Sequence, residues 1–272
     1  MSRLTMVEFA MRIVLAGLAL LGFGATAGAA DLPARTQPAP PVLAAPVFTW
    51  SGFYIGAHGG YGWSDTQANV GANCCVVFPT DLANGVFPRS VRLQHDGPVG
   101  GGQAGYNFQI GRLVAGLEAD ASWMDARSTG FHSAPDPLLG NLTTNSSFQS
   151  RLNWLATVRG RVGLTFGPAL VYATGGVAFG DLENRLSASI PTIGYAPPAW
   201  VGHETRAGWT AGGGVEYALS QNITLKAEYL YYDLGKQTVR ASDPTTFPAS
   251  EYLDYRFSTS GNLARAGINY KF

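Results

Sequence analysis

Gly261-Asn262-Leu263-Ala264-Arg265-Ala266-Gly267-Ile268-Asn269-Tyr270-Lys271-Phe272 closes the chain. In an extended strand, successive side chains point to opposite faces. Ala264, Ala266, Ile268, Tyr270 and Phe272 therefore share one face, and Leu263, Arg265, Gly267, Asn269 and Lys271 share the other. An apolar face opposite a mostly polar one, running to a terminal aromatic, is what the closing strand of a membrane β-barrel requires. Tyr270 and Phe272 are the expected assembly signal, read by a barrel-assembly machinery.

Seven further segments alternate in the same way. They run over Gly52–Trp63, Val99–Ile110, Arg112–Met124, Arg151–Leu164, Ala169–Gly180, Thr205–Leu219 and Asn222–Tyr232. Their outward residues include Phe53, Ile55, Tyr106, Phe108, Leu117, Leu152, Val158, Val177, Trp209, Val215 and Tyr229. Val162 to Gly180 carries no charge, but Phe166-Gly167-Pro168 splits it into two strands joined by a tight turn rather than one membrane helix.

Connections alternate in length. Short turns lie at Gly111, Gly167 and Ser220-Gln221, whereas 64–98, 125–150, 181–204 and 233–259 read as four long extracellular loops. Even strand number, short turns at one rim and long loops at the other give an all-β fold, an eight-stranded antiparallel transmembrane up-and-down β-barrel over 50–272. Trp63, Trp123, Trp154, Phe179, Trp209 and Tyr231 form one expected aromatic girdle, and Phe53, Phe108, Phe166, Tyr217, Tyr270 and Phe272 the other. Between them lie about ten residues per strand, which at a tilt near 40° span roughly 25 Å, the height of the apolar band. Strand one must pair with strand eight, because an open sheet edge is not viable in lipid.

Composition agrees. Only 13% of the 272 residues are charged, 12% are aromatic, and there are 35 glycines and a net charge of zero. Neutrality gives no support for a nucleic-acid partner. At the N-terminus, Arg3 and Arg12, the apolar run Ile13–Phe23 and the small residues Ala27-Gly28-Ala29-Ala30 read as a signal peptide over 1–30. Residues 31–49, with Pro33, Pro38, Pro40, Pro41 and Pro46, read as an extended periplasmic leader.

The inward faces collect Glu118, Asp120, Arg159, Arg161, Arg206, Glu216, Lys226, Glu228 and Arg265, with His58, Gln103 and Asn107. Four carboxylates thus face five cations. Buried charges need partners, so these residues are expected to form a luminal ion-pair network plugging a narrow bore.

Other chemistry is thinly marked. Gly100-x-Gly102-x-x-Gly105 matches a dinucleotide pattern, but a strand continues where that pattern needs a helix. His58, His95, His132 and His203 show no metal-ligand spacing. A lipid-modifying enzyme using His58 or a loop histidine as base lacks a nucleophile motif. The adjacent Cys74 and Cys75 leave thiol trapping, a strained bridge and partner pairing open. The residues call for no cofactor, no metal and no catalytic group. A small-solute pore and a ligand held by the loops, through Phe78, Phe87, Phe131 or Tyr252, stand as alternatives to a structural surface role.

Phe48-Thr49-Trp50-Ser51-Gly52-Phe53-Tyr54-Ile55-Gly56 resembles the start of the alphaproteobacterial outer-membrane immunogenic proteins. Gly101–Asn107, Gly116–Asp120, Leu152–Arg161, Gly175–Gly180, Gly208–Tyr217 and Lys226–Tyr231 continue the resemblance across the mature chain. It implies an eight-stranded, porin-opacity-type barrel in the bacterial outer membrane, in contact with outer-membrane lipids. It also implies surface exposure, a part in envelope integrity and, for some members, haem binding. No catalytic residues come with it. In a heat-modifiability gel, the folded protein should migrate faster unboiled than boiled; identical mobility would exclude the barrel.

Overall fold

The computed structural model describes residues 48–73, 77–243 and 252–272. The expected signal peptide, nearly all of the leader, and Cys74 and Cys75 lie outside the described residues. Eight strands form a closed barrel in chain order. They are β1 (Gly52–Asn73), β2 (Ser90–Ile110), β3 (Leu113–Asp136), β4 (Leu142–Phe166), β5 (Ala169–Ser189), β6 (Trp200–Ala218), β7 (Ile223–Ala241) and β8 (Tyr252–Lys271). One helix, α1 (Val77–Asn84), follows β1.

Closure joins the two ends of the sheet. β1 pairs antiparallel with β8 from Tyr54↔Lys271 to Asn73↔Tyr252, and the amide of Phe272 donates to the carbonyl of Phe53 at 3.0 Å. The rings of Phe53 and Phe272 lie 6.1 Å apart, on the lipid side of that seam. The tight turns fall at Gly111 (φ 59°) and Gly167 (φ 60°), where a left-handed backbone favours glycine.

The outward residues of the belt are exposed and apolar, among them Phe53, Tyr106, Leu117, Val158, Trp209 and Tyr270. Leu152 is a correction: it points into the bore with Leu155. An extra residue in β4 shifts its register against β5 between Leu152 and Leu155. Such a bulge turns every residue beyond it to the opposite face. A second bulge, at Gly235 (φ 72°) in β7, does the same between Asp233 and Lys236.

The strands are far longer than the membrane requires. Most of 64–98, 125–150, 181–204 and 233–259, read as loops from the sequence, is strand in the described residues. Beyond Trp63 the alternation persists with its outer face changed: Asp65, Gln67 and Asn69 are exposed, while Ser64, Thr66 and Ala68 are buried. Outside the hydrocarbon the outer face meets water, so the apolar-out signal stops while the hydrogen-bond ladder continues.

Several inward glycines permit the walls to close tightly. A Cβ on Gly101 would stand 2.0 Å from the carbonyl oxygen of Ala121 on β3. The outward Gly59 meets nothing nearer than 3.7 Å. Gly101→Ala should therefore lower barrel stability by roughly 1–3 kcal/mol through backbone displacement, and Gly59→Ala should leave it unchanged. The urea midpoint for loss of the fast-migrating form reads both; equal midpoints would show that the wall is not close-packed at Gly101.

Candidate functional site: the charged bore

Apolar and polar tiers stack along the bore. At the short-turn rim, Trp50, Val114, Leu170 and Tyr172 pack together, with Phe48 against them. Next comes the ion network. Above it Val99, Met124, Leu155, Leu182, Tyr232 and Leu263 form a second apolar layer. Towards the long-connection rim, Leu93, Phe148, Leu186, Leu253, Tyr255 and Phe257 form a third. Val86 and Phe87, which follow α1, are buried in that third layer, so the connection after β1 folds back into the mouth.

Arg159 on β4 is the centre of the network, its side chain 0% exposed. Its guanidinium reaches Glu118 at 2.5 Å and Asp120 at 2.9 Å on β3, and Glu228 at 3.0 Å on β7. Arg161 bonds Glu216 on β6 at 2.6 Å and lies 3.4 Å from Glu118. Lys226 meets Glu118 at 2.7 Å, while Arg265 on β8 bridges Asp120 at 2.8 Å and Glu228 at 2.6 Å.

Neutral groups fill the remaining valences. Tyr54 donates to Glu118 at 2.7 Å and Tyr172 to Glu228 at 2.9 Å. Thr224 and the Asn269 amide donate to Glu216 at 2.5 and 2.7 Å, and Thr157 donates to Asp120. Arg161 also stacks over the Tyr172 ring, 4.3 Å from its centroid. His58 contacts Gln103 at 3.0 Å through Nδ1 and Ser122 at 2.8 Å through Nε2, and Gln103 donates to Asn269 at 2.5 Å. Every strand of the barrel contributes at least one of these groups.

Arg206 does not join them. The β6–β7 ladder begins at Trp209↔Asp233, so Arg206 is laddered to Gly180 of β5 but not to β7; it bonds Glu204 on its own strand at 3.2 Å and is half-buried. The buried set therefore holds four cations, Arg159, Arg161, Lys226 and Arg265, against four carboxylates, Glu118, Asp120, Glu216 and Glu228. It is neutral, where the sequence reading left one positive charge in excess. Asn107 is inward and buried, its Oδ1 unpartnered among the described residues. Tyr54, Tyr172, Thr157 and Thr224 were not among the expected luminal residues, although each has inward parity and Thr157 and Thr224 stand two residues from Arg159 and Lys226; Asn269 shares the expected polar face of Arg265.

Chemically this arrangement can hold charge and brace the walls. The His58–Ser122 pair is buried inside the bore, and Arg265 lies 3.3 Å from the same imidazole nitrogen that meets Ser122. No His, Cys, Asp and Glu cluster suited to a metal ion occurs among the described residues.

The outer membrane protein beta-barrel domain family matches residues 16–272. The 31 kDa outer-membrane immunogenic protein of Brucella melitensis is 33% identical over 261 residues, covering 96% of this chain and 99% of the relative. The 25 kDa outer-membrane immunogenic protein of the same organism is 30% identical over 265 residues, covering 96% and 97%. Among solved structures, the outer membrane protein OprG from Pseudomonas aeruginosa aligns over 83% of this chain and 98% of its own, at 12% identity and a TM-score of 0.46. The chain belongs to the outer membrane protein β-barrel domain family and, like these alphaproteobacterial immunogenic relatives, is an outer-membrane protein.

Proposed function

We propose that the protein is a non-enzymatic envelope barrel that displays its long-connection rim at the cell surface and conducts no solute. The observation that carries this reading is the filled bore: three apolar layers, with a neutral ion cluster between the first and second. A solute path needs continuous polar space, and stacked layers such as Leu155 with Leu263 and Phe148 with Phe257 oppose it. On this reading the short turns and both chain ends face the periplasm. Outer-membrane lipids cover the exposed belt, and the barrel-assembly machinery engages Tyr270 and Phe272. The surface antigenicity that the relatives' names record for them is consistent with long strands lifting the rim clear of the membrane. The burial of His58 and Ser122 favours a structural rather than a hydrolytic role, because a lipid substrate would have to enter the packed bore.

The cluster then acts as a brace. Removing one member leaves others buried and uncompensated, which costs about 3–5 kcal/mol. Arg159→Ala, which strips three carboxylates of a partner, should lower unfolding stability by that amount. Arg206→Ala, outside the cluster, should change it by less than about 0.5 kcal/mol. Urea unfolding in detergent compares them, and equal effects would refute the brace. In planar bilayers the purified protein should give no steps above background; sustained porin-sized openings would overturn the closed-bore reading.

A further inference from the structure

Above the belt the wall divides. The β2–β3 ladder stops at Val99↔Met124 and the β6–β7 ladder at Trp209↔Asp233, although all four strands run on towards the long-connection rim. Two four-stranded sheets therefore enclose the third apolar layer, one of β7–β8–β1–β2 and one of β3–β4–β5–β6. Their outer faces differ in charge.

On the first sheet Lys236 and Arg240 of β7, Arg256 of β8 and Arg92 of β2 are exposed. The register sets Arg256 opposite Thr238, so Lys236 and Arg240 are its diagonal neighbours, about 7–8 Å away. One row across the sheet reads Lys236↔Ser258↔Gln67↔Arg92. Arg240 is neutralised: its guanidinium bonds Asp254 twice, at 2.9 and 3.1 Å, and lies over the Tyr252 ring, 3.6 Å from the centroid. Lys236, Arg256 and Arg92 make no side-chain hydrogen bond or ion pair among the described residues. The outer face of the second sheet, beyond Arg151 and Arg185, is uncharged to the rim.

Three uncompensated cations on one flat face attract an anion, and their surroundings select which kind. Gln67 and Asn69 stand four and six residues beyond Trp63 of the expected girdle, which at a tilt near 40° places them about 10–15 Å above it. The headgroup layer is only about 5–8 Å thick, and Asp65, Asp96 and Asp233 lie on the membrane side of the patch. A lipid phosphate would meet those carboxylates first. An acidic protein partner would need an apolar anchor at the centre of its interface; between the cations lie Thr238, Ser258, Gln67, Asn69 and Ser90, and none of the exposed large hydrophobic residues. These neutral side chains both donate and accept, as the hydroxyls of a sugar require.

We propose that the outer face of the β7–β8–β1–β2 sheet binds an acidic polysaccharide, its carboxylates held by Lys236, Arg256 and Arg92 and its hydroxyls by Thr238, Gln67 and Asn69. This goes beyond the scaffold reading and is independent of it, since the site lies on the outer wall and takes nothing from the bore.

The test uses the whole protein in zwitterionic lipid nanodiscs, open to solvent on both sides, with empty nanodiscs as baseline. The probes are an oligogalacturonate, a neutral malto-oligosaccharide of equal length and a poly-glutamate of equal charge. Biolayer interferometry should show the oligogalacturonate bound above baseline, the neutral sugar not bound, and poly-glutamate at least about fivefold weaker, for want of hydroxyl contacts. In about 1 M salt, where the Debye length is about 3 Å, oligogalacturonate binding should vanish. Lys236→Gln with Arg256→Gln should weaken it about tenfold, and Arg185→Gln, on the second sheet, should leave it unchanged. Both variants alter exposed side chains, and heat-modifiable migration verifies that each is folded. Binding equal to empty nanodiscs, binding that survives high salt or the double variant, an equal loss in Arg185→Gln, or poly-glutamate held as tightly as the uronate would overturn the proposal.

Discussion

Hydrocarbon offers no partner to a peptide group. Each N–H or C=O left unpaired in the bilayer costs several kcal/mol, so a sheet that crosses it must have no edge. The seam from Tyr54↔Lys271 to Asn73↔Tyr252 removes that edge. The other features follow from it. A closed eight-stranded sheet has one face towards lipid and one towards a narrow bore. The period-two alternation then assigns every side chain to one environment or the other.

The bore resolves a second constraint. Charge cannot face the lipid belt, and charge placed inside is stable only when paired. The cluster meets this by neutrality and by saturation: each carboxylate accepts from at least one cation and one neutral hydroxyl or amide. Its members come from strands far apart in the chain, and Arg159 alone ties β4 to β3 and β7. A one-residue slip in any strand would turn its charged members to the lipid, so the network also fixes register. The apolar layers on either side exclude water and keep its ion pairs short.

Above the membrane the same cylinder changes its outer chemistry while keeping its ladder. Asp65, Gln67 and Asn69 replace the belt residues on the outside, and the interior changes from ions to aliphatic and aromatic packing. There the barrel resembles a water-soluble sheet, apolar within and polar without.

The strand count, the lipid-facing residues and the inward position of eight of the nine named charges were legible in the sequence, because alternation is a local property and each strand carries it alone. Legibility ended where the outer face meets water, since a strand polar on the outside looks like a loop; hence the length of β1 beyond Trp63 was missed. The bulges at Leu152 and Gly235 were also invisible, because an extra residue is defined only against a neighbouring strand. Arg206 has the inward parity of Thr210, yet the start of the β6–β7 ladder at Trp209 leaves it outside the network. Local alternation thus assigned each face to lipid or to the bore. Which charges touch depends instead on registers that bring distant strands together, and those exist only in the closed sheet.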